Sequence, residues 1–371
     1  MACLRPLSLL LLAGMLAADC SGPPTRTPEP GVDAAILTAG SAYETRSIAL
    51  PGAPSDGMFM DYLAYDRPRH RVWVPAGASG SVDVIDATTG ELLMQVEGFP
   101  TAEMERHGQT RVVGPSSATI GDGVVYVGNR GDSTVCALDA VTPAKGACAT
   151  LESMPDGIAY VAATREVWVT TPRDQSIAIL DASVPGAPTV KDRIAFDGEP
   201  EGFAVDDARG LFFTNLENRD RTLAIDLRTH EITATWLPAC GEDGPKGLAL
   251  DHAADFLLVA CTDHVVVLDA GHDGALLSQV QTGAGVDDLG YVEATHLLYA
   301  GAAHAAQLTI ARLDAQGALT TVAVVPTVDG ARNAVATDEE VAYLTDAHAG
   351  AILVVSPAAE VSTAPPASPA P

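Results

Sequence analysis

Short apolar runs recur along the chain, and between them lie polar or Gly-bearing turns. The most regular run alternates and ends in Asp: Val82-Asp83-Val84-Ile85-Asp86, Val135-Cys136-Ala137-Leu138-Asp139, Ile177-Ala178-Ile179-Leu180-Asp181, Leu223-Ala224-Ile225-Asp226, Val265-Val266-Val267-Leu268-Asp269 and Thr309-Ile310-Ala311-Arg312-Leu313-Asp314. Successive terminal Asp residues are 53, 42, 45, 43 and 45 positions apart. A seventh run, Ile352-Leu353-Val354-Val355, ends in Ser356. Upstream of each lies a second run, such as Val72-Trp73-Val74, Val167-Trp168-Val169 or Val341-Ala342-Tyr343-Leu344. Before that comes a run of small residues, such as Gly202-Phe203-Ala204-Val205 or Gly247-Leu248-Ala249-Leu250. A fourth run follows the Asp turn, as in Leu92-Leu93-Met94-Gln95-Val96.

Alternating, β-branched runs split by turn residues read as strands, and no helical period competes. Four strands in roughly 45 residues make a propeller blade. Small residues suit the first strand, because seven such strands crowd one axis. The fold expected is therefore all-β, a seven-bladed β-propeller of four-stranded blades over residues 42–356. The last unit ends without a fourth strand. Residues 45–50, ahead of blade one, can supply it, which would close the ring through both chain ends.

The runs Val125-Tyr126-Val127-Gly128-Asn129 and Phe212-Phe213-Thr214-Asn215, with Gly247-Leu248-Ala249-Leu250-Asp251 and Phe256-Leu257-Leu258-Val259-Ala260-Cys261, resemble those of YVTN-repeat (YncE-like) bacterial propellers over residues 45–356. The resemblance implies the seven-bladed fold and export. It implies little about function, since that family's functions are mixed. Five blades depart from the motif's Asn, holding Ala76, Thr171, Cys261, Ala302 and Asp346 near that position.

Charge changes the picture of partners. The formal net charge is −27. Phosphate backbones repel such a surface, so nucleic acid is excluded as a partner. A monomer that binds a small molecule or protein at the channel face is expected. Residues 1–18 read as a signal peptide, with Arg5 ahead of an apolar stretch too short to span a bilayer. Leu16-Ala17-Ala18-Asp19-Cys20 resembles a lipobox with Asp19 off-pattern. Either Cys20 carries a lipid, the sole expected membrane contact, or cleavage falls near Ala18. Residues 19–41 read as a Pro-rich tether and residues 357–371 as a disordered Pro/Ala-rich tail. A periplasmic protein or a surface lipoprotein of a bacterium is expected. Four cysteines remain, and an oxidising compartment pairs them as Cys136–Cys148 and Cys240–Cys261.

Candidate chemistry sits where the first strands begin. Aligning the blades places Asp61, Ser116, Asp156, Glu201, Lys246, Asp287 and Arg332 at the channel mouth, with His304 and His348 in loops of the same face. Asp156, Glu201 and Asp287 could hold a hard divalent cation such as calcium, which takes several carboxylate oxygens. His70, His230, His272 and His296 fall in outer turns and are expected to be solvated, and the insert at 98–113, with His107, could lie over the mouth as a lid. No haem, zinc-protease, phosphate-loop or serine-elbow motif is present. Three readings follow: a cell-envelope binding or scaffold propeller, a metal-dependent, lactonase-like hydrolase acting at the mouth, and a metal-handling or redox-accessory protein.

Overall fold

The computed structural model describes residues 42–106 and 108–358. The leader, the tether with Cys20, His107 and the chain beyond residue 358 lie outside the described residues.

Seven four-stranded antiparallel sheets form the ring, six of them with their strands in sequence order from the axis outward and the seventh closed on the outside by the N-terminal strand. In blade four these are Pro200–Asp206, Leu211–Leu216, Arg221–Asp226 and Ile232–Trp236. Blade seven takes Ala331–Ala336, Ala342–Asp346 and Ala351–Pro357 from the end of the repeats, and Tyr43–Ala49 completes it. Tyr43 pairs opposite Pro357 and Ala49 opposite Ala351, so the closing strand is antiparallel and in register throughout. Arg46 on this strand also reaches the carbonyl of Gly90 in blade one at 3.3 Å.

The continuous apolar runs follow from burial on both faces of each blade. Side chains alternate across a strand. In the second strand of blade three (Glu166–Thr171), Val167 and Val169 pack towards blade two while Trp168 packs towards blade four. The core is thus seven apolar clusters, each lying between two neighbouring blades. His230, expected in solvent, packs edge-on against Trp168 at 5.4 Å and meets Asp192 at 2.8 Å, because the blade-four turn folds back over the blade-three sheet.

The recurrent Asp has a local cause. Its carboxylate accepts amide protons of the turn that follows: Asp86 from Thr88 and Thr89, Asp226 from Arg228 and Thr229, Asp314 from Gln316 and Ala318. Asp closes the third strand because it supplies acceptors for amides that the strand ladder no longer engages. These turns lie on one face of the ring. The opposite face, the mouth, gathers the starts of the first strands and the ends of the second. The third strand of blade seven runs from mouth to turn face, so both ends of the described chain leave from the turn face, where the Ala358 amide donates to the Ala42 carbonyl at 2.9 Å.

Two disulfides are present. Cys136–Cys148 joins directly opposed residues of the third and fourth strands of blade two, with Cα atoms 4.0 Å apart. Cys240–Cys261, with Cα atoms 5.1 Å apart, ties the loop entering blade five to the end of that blade's second strand. The insert between blades one and two is a two-stranded hairpin, Ala102–Arg106 with Gln109–Val113.

Candidate ligand site at the channel mouth

The first strands do not enter the ring smoothly. In blades two, four, six and seven the register slips at the strand's first residues, between Pro115 and Ser117, Glu201 and Phe203, Val286 and Leu289, and Arg332 and Val335. Such bulges re-aim side chains. Gly202 makes the blade-four bulge possible. Its φ is +63°, and a Cβ there would collide with the backbone of Lys246 and Gly247 in blade five.

The result is an open cavity of about 970 Å³ at the mouth. Asp61, Asp156, Glu201, Lys246, Asp287, Arg332 and His304 line it, as do Phe59, Arg130 and Met104. Two expected residues do not. Ser116 is fully buried, because the backbone of Tyr62 pairs across it: the Tyr62 amide donates to the Ser116 carbonyl at 3.0 Å, and the Ala118 amide to the Tyr62 carbonyl at 3.1 Å. His348 stands outside the wall, 3.7 Å from Asp329, because the segment carrying Gly57 and Met58 lies along its loop and continues to Phe59 and Asp61 in its place.

The floor is a charged network closed by the chain itself. Arg130 pairs with both Asp61, at 2.9 Å, and Asp156, and its guanidinium lies 4.5 Å from the Phe59 ring centre. Asp61 also accepts from the Asn333 amide at 2.6 Å. Arg332 pairs with Asp287 at 2.6 Å, and Lys246 with Glu217. Tyr62 crosses the axis from blade one and donates to Glu201 at 2.8 Å. Below it the Tyr62 and Phe203 rings meet at 5.6 Å and separate the mouth from the other end of the channel. That end is a space of about 270 Å³ lined by residues including Tyr160, Phe203, Leu248 and Leu250.

Burial shapes the protonation of this floor. Desolvation, then the neighbouring charges of Asp287 and Asp61, pushes the Glu201 carboxyl up to about 7. Burial also raises Asp61, against the pull of Arg130, and holds Asp288 well above the ordinary carboxylate range. Burial and then Glu201 lift the Tyr62 phenol far above its usual value. Burial opposes the Arg332 charge, but Asp287, Asp61 and Glu201 outweigh it and keep the guanidinium protonated.

Asp156, Glu201 and Asp287 do not come together as a cation site. Among the described residues no group of three or more His, Cys, Asp or Glu side chains could hold a metal ion. Asp156 is engaged by Arg130, Asp287 by Arg332 and Glu201 by Tyr62. The hairpin insert reaches the rim, where Met104 joins the cavity wall and its sulfur lies 2.8 Å from the Arg173 guanidinium. Alignment of first strands could not find Arg130, which follows the second strand of blade two. The only signal was a cation directly after Gly128-Asn129 in an acid-rich chain.

No protein-family model and no curated protein matches the chain. Solved structures do match it as a fold. The structure described as "Streptogramin B lyase structure" superposes with a TM-score of 0.65 at 11% identity, covering 85% of this chain and 98% of that one. "Kuenenia stuttgartiensis Hydrazine Synthase" gives 0.66 at 13%, covering 81% and 95%. "Crystal Structure of Mitotic Checkpoint Complex" gives 0.65 at 13%, covering 83% and 92%. At such identities the likeness is one of fold.

Proposed function

We propose that this protein is an exported propeller of the bacterial cell envelope that binds a small molecule or short peptide in the mouth cavity. One observation carries the reading. Charged side chains from most blades converge on one recess, over a floor that is already folded and paired. Preformed concave sites with a few oriented polar groups are where ligands bind. The disulfides are consistent with an extracellular or periplasmic location. Kinship with YVTN-repeat propellers belongs to the same proposal, as do a monomeric state, a lipid at Cys20 as the sole membrane contact and the absence of nucleic-acid partners. The lactonase-like alternative would require Asp156, Glu201 and Asp287 to release Arg130, Tyr62 and Arg332 before taking a cation. That disfavours it relative to binding. The fold's neighbours include a lyase and an assembly, which leaves both classes of function open to the architecture.

A mouth-blocking variant tests the reading. Thr262, on the wall beside Cys261, is replaced by Trp. A small-molecule and peptide library is screened by thermal shift against parent and variant. Compounds that raise the parent's melting temperature should lose that effect in Thr262→Trp. Hits that stabilise both equally would move the binding surface away from the cavity.

A further inference from the structure

The charges of the floor are unevenly matched. Arg130 is held by two carboxylates, Arg332 by Asp287 and Lys246 by Glu217. Glu201 differs. It faces the cavity, and its side-chain hydrogen bond comes from the neutral Tyr62 hydroxyl. The surrounding wall is not uniformly polar. Met104 of the insert and Met154, Pro155 and Pro172 of blade three give it an apolar side as well. A bare metal ion uses only the carboxylate. A molecule with a cationic end and a short apolar body uses both surfaces.

We propose that the mouth cavity takes an organic cation, an alkylamine or alkylguanidine, whose charged end pairs with Glu201 while its body lies against the apolar side of the wall. The inference rests on the binding reading above and names its ligand class. The floor already shows the chemistry, since Arg130 sits between carboxylates and the Phe59 face in the manner the ligand's guanidinium would adopt at Glu201.

Binding should release a proton. Asp61 and Tyr62 act on Glu201 from the entering segment and Asp287 and Asp288 from blade six, the Arg130 and Arg332 guanidiniums oppose them, and Lys246 lines the same wall. The carboxylates among them keep part of the Glu201 population protonated near pH 7. A cation pairs with the ionised form, so the proton leaves to solvent as the ligand's positive charge arrives. Affinity should then rise about tenfold from pH 6 to pH 8 if a group titrating near 7 must ionise first.

Isothermal titration with butylguanidinium tests this, using butylurea and calcium chloride as the uncharged and metal comparisons. The expected result is saturable binding of butylguanidinium, tighter at pH 8 than at pH 6. Titrations at pH 7 in phosphate and in Tris should differ in heat by the ionisation of about half a proton per site. Glu201→Gln should bind at least tenfold more weakly and lose the pH dependence. Asp86→Ala, on the opposite face, should keep both, which ties the loss to Glu201 rather than to the removal of a carboxylate in general. Should Glu201→Gln fold poorly, the buffer comparison on the parent protein still decides. Three results would overturn the proposal: butylguanidinium binding with no proton release, equal binding of butylurea, or calcium alone engaging Glu201. Binding of butylurea that Thr262→Trp abolishes would overturn the cation while leaving the cavity as the site. No binding of either organic probe, with screen hits indifferent to Thr262→Trp, would remove both.

Discussion

The two faces of the ring use the same residue types for opposite ends. On the turn face, Asp86, Asp139 and Asp226 accept backbone amides, and Asp181 accepts the Ser183 hydroxyl and then its amide, which hold their carboxyls below the usual range. At the mouth, burial drives Asp61, Glu201 and Asp288 the other way. The turn face repeats nearly the same residue from blade to blade, whereas the mouth positions hold Asp in three blades and Ser, Glu, Lys and Arg in the other four. Repetition marks what every blade needs to fold. Variation marks what only one place in the ring needs. The acids of the chain thus include two contrasting groups, one serving local turn structure and one concentrated where burial costs stability.

The largest expected effect comes from the centre of the mouth. Arg130→Met would leave Asp61 and Asp156 buried without their cation, and should cost about 3–5 kcal/mol in urea-unfolding experiments. A change under about 1 kcal/mol would mean that the floor is wetter than its burial indicates.

A smaller effect tests the opposed protonation of the two faces. Glu201 titrates higher in the folded protein than in the unfolded chain, so its ionisation opposes folding, and stability should fall as pH rises from the ordinary glutamate range through 7. Glu201→Gln should flatten that decline and gain on the order of 2 kcal/mol at pH 8. The turn acids run the other way. Their folded values are depressed, so their contribution is present at neutral pH and is lost only as pH falls through the acid range. A melting profile of Glu201→Gln parallel to the parent's from pH 5 to 8 would contradict the assignment.

The smallest effect belongs to a single turn. Asp86→Ala removes the acceptor for the Thr88 and Thr89 amides at an exposed position and should cost about 1 kcal/mol. It should leave any mouth ligand's affinity unchanged. Weaker ligand binding in that variant would show that the two faces are coupled.

Most of the fold was legible because it repeats. The Asp-terminated runs counted the blades, and the missing fourth run after Val355 pointed to the N-terminal strand that Tyr43–Ala49 supplies. The mouth was legible only where it follows the repeat. Glu201, Asp287 and Arg332 reach the cavity as second residues of their first strands, while Asp61 reaches it from the entering segment. Ser116 has the right position but is covered by Tyr62, and that covering comes from a segment with no counterpart in other blades. Phe59 and Tyr62 belong to this unrepeated stretch, and Arg130 to a loop after a second strand. No periodic argument reaches them, since their placement depends on how one stretch of chain crosses the axis.

Both ends of the described chain depart from the turn face, behind the cavity, and this sets how the molecule can be mounted. An affinity tag, a bead or a fused domain joined directly at residue 42 or 358 would approach the ring from its back. The recess would then look outward, away from whatever the protein is fixed to. A sensor surface coupled directly at residue 42 should thus leave the binding face open to flowing solute, whereas coupling through residues of the hairpin insert at the rim should shade it.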